Sequence, residues 1–358
     1  MKKQEHKFNY DWTLQDAIFT KDKGKVFSCF ACGGGSTMGY KLAGFDVIGH
    51  NDIDNKMIEV YKENHKPKFS FLESITTFAK RKDLPRELYE LDILDGSPPC
   101  SSFSMAGNRE KDWGKEKVFR EGQAEQVLDT LFFDFIDLAK ELQPKVVVAE
   151  NVKGLLLGAA KDYVIKIYEA FDKAGYYCQH FLLDASKMGI PQRRERVFFI
   201  CLRKDIASKF LYWQDMFTEI PKIEMDFNEP GITFNSIFRD YTDRPITGKT
   251  IELWNNRQEN DKGLSEANGR LYNKPDNYFG WVYLKKDMIS NTIIANDTIV
   301  LYDYPRHMNK QELCSVGSYP QDYNFLKLKP EYLIGMSVPP IMTAQIASNI
   351  YEQWLSKL

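Results

Sequence analysis

The sequence lacks the apolar runs that mark membrane segments. It has no stretch near the about 18 consecutive apolar residues that a membrane-spanning helix needs. The chain begins Met1-Lys2-Lys3 without an apolar stretch behind the lysines, which does not fit a secretory signal peptide. We therefore expect a cytoplasmic protein that makes no membrane contact.

Cysteine is scarce, with six residues scattered through the 358 of the chain, and the spacing forms no disulfide framework. Cys29 and Cys32 form a CxxC pair. A tetrahedral zinc site needs two more ligands, and no second CxxC or histidine pair lies near them in sequence. We therefore expect no metal, and we interpret the pair as small apolar side chains at a strand end.

A net charge of strong sign is also missing, since the formal value is −2. Phosphate contacts need lysine and arginine, but one basic cleft can supply them in a protein of any net charge. Nucleic acid is therefore neither indicated nor excluded. At about 150 residues per domain, the length predicts one large domain and a smaller one.

Short apolar runs alternate with amphipathic stretches over the first two hundred residues. The runs contain few polar positions, as in strands buried on both faces. The predicted strands are 25–30, 45–51, 69–73, 91–94, 145–149, 176–183 and 196–202. Predicted helices between them are 55–64, 123–142 and 161–174. This alternation predicts an α/β fold with a doubly wound, mostly parallel sheet of about seven strands.

The amino-acid composition changes after about residue 204. Residues 205–290 are polar, rich in Asn, Asp and aromatics, and broken by prolines, which indicates a smaller domain of irregular or β character. A helical pattern returns near residue 330, with an amphipathic helix at 343–355. We expect one domain formed by 20–204 plus 330–358, and a second formed by 205–329.

Glycine-rich or polar residues follow five consecutive predicted strands. They are Gly33-Gly34-Gly35, Asp52, Glu73-Ser74, the run Asp95-Gly96-Ser97-Pro98-Pro99-Cys100, and Glu150-Asn151. Ligands bind outside the carboxyl ends of parallel strands. One edge of the sheet is therefore expected to carry the active site.

The glycine run permits close backbone approach to a ligand, and an acid about 20 residues later, here Asp52, suits ribose hydroxyls. Taken alone, this pattern fits a nicotinamide, a flavin, S-adenosylmethionine or a structural turn. Pro98 and Pro99 stiffen the chain before Cys100, as a nucleophile on a loop requires, although buried structural cysteines are common. Both interpretations remain open at this point.

Two charged motifs lie further along the chain. Glu150 ends an apolar strand. A partly desolvated carboxylate at such a position can act as a general acid, and an acid that caps a helix or forms an ion pair is also common there. The segment 192–196 has three arginines in four residues, which can grip phosphate or a base carbonyl, or form a solvated charge run.

Taken in order, the motifs resemble those of the cytosine-5 DNA methyltransferase family. They are Phe30-Ala31-Cys32-Gly33-Gly34-Gly35, Pro99-Cys100 with Phe103-Ser104, Glu150-Asn151-Val152, Gln192 with Arg194 and Arg196, a looser match from Arg306 to Pro320, and Gly335-Met336-Ser337-Val338-Pro339-Pro340. The resemblance covers residues 25–204 and 290–358. Six ordered motifs are specific together, although each alone is not.

The resemblance implies a Rossmann-like, S-adenosylmethionine-dependent methyltransferase sheet with a smaller target-recognition domain at 205–329, whose variable core is 205–290. It implies methylation of carbon 5 of a flipped-out cytosine in a specific duplex DNA sequence, through a covalent bond from Cys100 to carbon 6, with S-adenosylhomocysteine as the by-product. The implied partners are double-stranded DNA and a cognate restriction endonuclease. We expect a monomer of bacterial or phage origin.

The resemblance also implies roles for individual residues. The catalytic residues would be Cys100, Glu150, Arg194 and Arg196. The S-adenosylmethionine site would be formed by Phe30, Gly34, Gly35, Asp52, Ile53, Ser74, Pro98, Pro99, Leu131 and Ser337. Contacts to nucleic acid would come from Ser101, Ser104 and Gln192. The segment 101–117 would be a loop that closes over the flipped base.

The sequence departs from the family pattern at several positions that bear on these roles. Glu73-Ser74 is an imperfect version of the acid that usually contacts adenine. Cys32 and Met336 stand where glycine and asparagine are usual, and both departures concern the cofactor site. Ser101 replaces a glutamine that often follows the catalytic cysteine. Three alternatives remain: a tRNA cytosine-5 methyltransferase, a catalytically silent DNA-binding paralogue, and an oxidoreductase indicated by the glycine run alone.

Overall fold

The computed structural model describes residues 6–99, 130–215, 218–274, 280–296 and 298–358, and only the backbone of 116–117, 126–127 and 159. Cys100, Ser101, Ser104 and almost all of the predicted loop 101–117 therefore lie outside the described residues. In the part of the chain that is described, no helix has the length and apolar character to cross a membrane.

A seven-stranded sheet forms the centre of the fold, and all seven predicted strands are confirmed. The strands are β1 (Lys25–Cys29), β2 (Asp46–Asp52), β3 (Phe69–Leu72), β4 (Ile93–Gly96), β5 (Val146–Val152), β6 (Tyr176–Asp184) and β7 (Glu195–Arg203). Their order is β3-β2-β1-β4-β5-β7-β6. β7 runs antiparallel to both of its neighbours, and the other pairs are parallel. The predicted α/β architecture is therefore confirmed.

The helices are α1 (Gly35–Leu42), α2 (Asn55–His65), α3 (Ile75–Phe78), α4 (Leu131–Leu142), α5 (Lys161–Lys173), α6 (Lys249–Asn255), α7 (Leu264–Tyr272), α8 (Lys310–Val316), α9 (Pro330–Met336) and α10 (Pro340–Gln353). The predicted helices 55–64, 161–174 and 343–355 are confirmed within a few residues. The start predicted for the helix 123–142 is wrong, because Gln126–Val127 pairs as a short strand with Glu116–Lys117.

The main core lies where α4 and α5 cover the sheet. Phe132 of α4 stands edge-on to Phe199 of β7, with ring centroids 5.5 Å apart. Phe27, Leu94 and Val147 contribute from β1, β4 and β5 to the same buried cluster. Burial of these large apolar side chains fixes the strands that carry the polar residues at the sheet edge.

The chain forms two compact units. The sheet unit consists of Ile18–Asp184, Glu195–Asp226 and Met342–Leu358, and the second unit of Met1–Ala17, Ala185–Arg194 and Phe227–Ile341. The second unit contains α6 and α7, two short helices that the sequence did not predict. It also contains a parallel pair of strands, Val282–Leu284 and Ile299–Leu301. The assignment of 205–329 to target recognition stays a prediction.

Candidate active site

The turn after β1 has an unusual backbone. Phe30, Cys32 and Gly34 have φ values of 51°, 49° and 84°, in the left-handed region that side chains other than glycine rarely adopt. The Cys32 N–H donates to Asp52 Oδ2 at the end of β2, at 2.7 Å. Cys32 therefore adopts a glycine-like conformation at the position where the family usually has glycine.

Gly34 lies directly against the end of α2. A Cβ atom built on Gly34 would come within 2.2 Å of His65 Nε2. His65 Nε2 also lies 3.4 Å from the Gly33 carbonyl oxygen. Burial holds the pKa of His65 well below its ordinary value, so the imidazole beneath the turn is neutral. Close packing therefore explains why glycine is needed here.

Asp52 presents a carboxylate beside this turn. Its Oδ2 accepts from Cys32 N–H, and its Oδ1 accepts from Asp54 N–H at 2.9 Å. Burial raises the pKa of Asp52 to about 6, although the backbone donors oppose the shift. Since a carboxylate can accept about four hydrogen bonds, acceptor capacity remains beyond the backbone donors of Cys32, Ile53 and Asp54. This chemistry fits the ribose of S-adenosylmethionine.

The other predicted cofactor residues have varied surroundings. Phe30 is half-buried with its ring 6.4 Å from Phe135, and Ile53 and Pro99 are half-buried too. Gly35, Pro98 and Leu131 are buried, the last in the apolar core at the start of α4. The Ser74 hydroxyl accepts from Thr77 N–H and so caps α3.

Pro98 is anchored to the neighbouring strand. The buried side chain of Asn151, in β5, donates through Nδ2 to the Pro98 carbonyl oxygen at 3.1 Å. Strand β5 therefore fixes the chain two residues before Cys100. Asn151 stands in the middle of a sequence motif, but its structural role is not evident from the sequence because its partner lies 53 residues away.

Glu150 and Arg196 form an ion pair at the same edge of the sheet. Arg196 Nε lies 2.9 Å from Glu150 Oε1, and the side chains are 17% and 13% exposed. The antiparallel register of β5 and β7 sets Arg196 opposite Val152. Burial lowers the pKa of Arg196, and Glu150 opposes that shift. The fold thus brings together two of the predicted catalytic residues.

Gln192 and Arg194, by contrast, lie in the interior of the second unit. Arg194 is 3% exposed and donates to the carbonyl oxygens of Ile293, Gly335 and Ser337 at 2.9–3.1 Å. Gln192 is 1% exposed, donates to Val316 O and accepts from Ile293 N–H. Both side chains therefore bind main-chain groups of this unit, and the catalytic role of Arg194 and the DNA contact of Gln192 stay predictions.

Ser337 also belongs to the second unit. Its hydroxyl donates to the Leu333 carbonyl oxygen at 2.8 Å, and its own carbonyl accepts from Arg194. The adjacent Met336, which stands at the usual asparagine position, is 41% exposed. Its exposed thioether offers no strong hydrogen-bonding group to a cofactor.

Comparison with known proteins agrees with this architecture. The family described as C-5 cytosine-specific DNA methylase matches residues 24–352. The type II methyltransferase M.NgoPII of Neisseria gonorrhoeae is 26% identical over 353 residues, which covers 91% of this chain and 95% of that protein. M.Bsp6I of Bacillus sp. (strain RFL6) is 26% identical over 356 residues, covering 92% and 99%.

A likeness to a solved structure supports the fold alone. The Dnmt2 methyltransferase of S. pombe superposes with a TM-score of 0.61 at 15% identity, covering 92% of this chain and 98% of that one. The family match, in contrast, extends over nearly the whole sequence and includes both units. The chain therefore belongs to the C-5 cytosine-specific DNA methylase family of S-adenosylmethionine-dependent enzymes.

Proposed function

We propose that this enzyme methylates carbon 5 of a cytosine rotated out of a specific duplex DNA sequence, through a covalent bond between Cys100 and carbon 6 of the base. The observation that carries the proposal is the Glu150–Arg196 ion pair. Glu150 is followed by Asn151, whose side chain anchors the chain two residues before Cys100. The acid lies near the carboxyl end of β5 and the cation at the start of the antiparallel strand β7, and Cys100 follows Pro98 by two residues.

The chemistry explains why a thiolate is needed. Carbon 5 of cytosine is a poor nucleophile, and addition of the Cys100 sulfur to carbon 6 forms an S–C6 bond that makes carbon 5 enamine-like. Bound S-adenosylmethionine supplies the electrophilic methyl group. Carbon 5 takes that methyl group, so a C5–CH3 bond forms and S-adenosylhomocysteine is released. The carbon 5 proton then passes to a base such as water, its electron pair restores the C5=C6 double bond, and the S–C6 bond breaks to regenerate the thiolate.

Glu150 and Arg196 would act on the base and on the thiolate. Electron density builds on N3 of the ring during addition, and the Glu150 carboxyl group can hydrogen-bond or protonate that atom. A free cysteine has a pKa of about 8.5, so the thiolate needs a cationic neighbour. The Arg196 guanidinium, held by Glu150 at 2.9 Å, is the candidate.

The chain's own residues fit the methyl donor. Asp52 would accept the ribose hydroxyls, and Phe30 and Ile53 would pack against the adenosyl group. Gly34 would allow the backbone to approach closely. Ser74, Leu131 and Ser337 are weaker candidates, since the first caps a helix, the second is in the core and the third belongs to the second unit.

The substrate would be duplex DNA. A base inside a duplex cannot be attacked, so it must be rotated out at a cost of a few kcal/mol. Relatives are named type II methyltransferases, which supports a cognate restriction endonuclease as a partner in the cell. We propose that the enzyme acts as a monomer, with 205–329 selecting the target sequence.

Substrate class is tested by a transfer assay. The target sequence is first mapped as 5-methylcytosine in DNA from an expressing cell, and a duplex carrying it is compared with tRNA as methyl acceptor. Transfer to the duplex at a rate far above that to tRNA supports the proposal. Faster transfer to tRNA would establish the RNA enzyme instead, and transfer to neither would support a silent paralogue.

A further inference from the structure

A buried carboxylate joins strand β4 to helix α1. Asp95 belongs to β4 and is 4% exposed. It is five residues before Cys100, and it stands directly opposite Ser28 of β1 in the parallel register. None of the roles implied by the family motifs includes this residue.

Three hydroxyl groups converge on this carboxylate. Asp95 Oδ2 accepts from Ser28 Oγ and from Ser36 Oγ, both at 2.7 Å, and Oδ1 accepts from Tyr40 OH at 3.2 Å. Ser36 and Tyr40 are four residues apart and so share one face of α1. All four side chains are buried. The carboxylate therefore ties α1 to β4 without help from water at the surface.

The energetics require this set of donors. Burial raises the pKa of Asp95, the three hydroxyls oppose that shift, the nearby Glu150 carboxylate adds a smaller rise, and the net pKa is about 6. Burying a carboxylate is costly unless hydrogen bonds compensate it. The first turn of α1, which contains Ser36, adds a favourable helix dipole. Near neutral pH the ionised carboxylate is therefore held between helix and strand.

Helix α1 and strand β4, which Asp95 joins, are connected to two different parts of the proposed site. Helix α1 begins at Gly35, directly after the left-handed turn at Gly34. Strand β4 leads to Pro98, which Asn151 anchors, and then to Cys100. A contact that fixes α1 against β4 thus fixes the spacing between the turn at Gly34 and the strand that leads to Pro98.

We propose that Asp95 is a positioning residue that, through Ser36 and Tyr40, holds the methyl-donor turn in alignment with the strand carrying the nucleophile. The proposal rests on the proposed function. Group transfer needs reacting atoms held close and in line, so a small shift between the two elements lowers the rate steeply.

Ser28 offers a matched control for Ser36. Both hydroxyls donate to the same oxygen at the same distance, and both are buried. Ser28, however, belongs to a strand whose alignment with β4 is already fixed by the main-chain ladder. Helix α1 has no such ladder with β4. Loss of the Ser28 hydroxyl should therefore cost stability without disturbing the spacing.

The test compares Ser36→Ala with Ser28→Ala in the full-length enzyme. We measure the melting temperature, the Kd for S-adenosylmethionine by calorimetry without DNA, and kcat with both substrates saturating. Both variants should melt at similarly reduced temperatures. Ser36→Ala should raise Kd and lower kcat, each on the order of tenfold, whereas Ser28→Ala should change each by less than about twofold.

A second variant separates positioning from direct contact. If Ser36 acts through Asp95, the double variant Ser36→Ala/Asp95→Asn should bind S-adenosylmethionine no more weakly than the weaker single variant. Additive losses, equal effects of the two serine variants, or an unchanged Ser36→Ala enzyme would each overturn the proposal. Failure of the parent enzyme to methylate DNA would instead overturn the proposed function, and the Kd comparison would still test the role of Asp95.

Discussion

At the scale of single residues, the clearest pair in the site is Glu150 with Arg196. Glu150→Gln keeps the shape of the side chain but replaces the carboxyl group with an amide that cannot transfer a proton to the ring nitrogen. We expect the methyl-transfer rate to fall by roughly 10²–10⁴-fold, with little change in the Kd for S-adenosylmethionine. Glu141→Gln, at an exposed position on α4, is the control. A parental rate for Glu150→Gln would exclude the role proposed for this acid.

Asp52 should make stability depend on pH. Its pKa in the folded protein is raised to about 6 from an ordinary 3.8, so the ionised side chain destabilises the fold above pH 6 and this cost disappears as the pH falls toward 4. Asp52→Asn should therefore raise the melting temperature at about pH 7.5 and give little gain at about pH 4. It should also weaken S-adenosylmethionine binding. A gain that is independent of pH would contradict this account.

Gly34 should tolerate no side chain. Gly34→Ala adds a methyl group 2.2 Å from His65 Nε2 to a backbone already at φ 84°. Gly158→Ala is the matched control, because Gly158 has φ 60° but open space around its Cβ position. Urea unfolding should show Gly34→Ala to be less stable than Gly158→Ala by about 1–3 kcal/mol. Equal losses would mean that the contact with His65 is unimportant.

Sequence patterns identified site residues only where the chemistry is local. Glu150 and Arg196 stand at strand ends in recognisable motifs. The bonds from Asn151 to Pro98 and from Ser36 to Asp95 join residues 53 and 59 positions apart, which no local pattern reveals. Gln192 looked exposed because its neighbours are charged, yet its amide is enclosed in the second unit.

At the scale of elements, strands β1, β2, β4, β5 and β7 were predictable because each is buried along most of its length, whereas the outer strands β3 and β6 are mostly half-buried or exposed. Val146-Val147-Val148-Ala149 is apolar throughout and is fully covered. Helices α6 and α7 gave no such signal, since they have seven and nine residues. Leu253, Leu264 and Ala267 from these helices pack with Tyr283 and Val300. Tertiary packing, which a short sequence window cannot show, stabilises them.

A buried ion pair should dominate the stability of α8 in the second unit. Arg306 contacts Glu312 through two hydrogen bonds of 2.7 and 2.9 Å, and Glu312 also accepts from Asn309 N–H at the start of the helix. Glu312→Ala would leave the buried arginine unpaired and should lower the free energy of unfolding by about 3–5 kcal/mol.

Glu141→Ala provides the comparison for that prediction. Its partner Lys82 is 78% exposed, and exposed pairs contribute little to stability. Urea unfolding at neutral pH measures both variants. Similar small losses in the two would show that the Arg306–Glu312 pair does not stabilise the second unit.

At the scale of the whole molecule, each compact unit is assembled from three separate segments. The segment Ala185–Arg194 interrupts the sheet unit between β6 and β7 and belongs to the second unit. A change in composition along the chain can mark a long segment such as 205–290, but it cannot mark a segment of ten residues such as Ala185–Arg194. The enzyme family was predictable as well as the fold, because six sequence motifs occur in the order that the family has, spread over both units.

The most direct test of the account is covalent capture of the base. The parent enzyme, Cys100→Ala and the control Cys178→Ala are incubated with S-adenosylmethionine and target duplex containing 5-fluorocytosine, which blocks the final proton loss. Peptide mass spectrometry should find the pyrimidine joined to Cys100 in the parent and in Cys178→Ala, and no adduct in Cys100→Ala. An adduct on another residue, or methyl transfer at the parental rate by Cys100→Ala, would contradict the central claim.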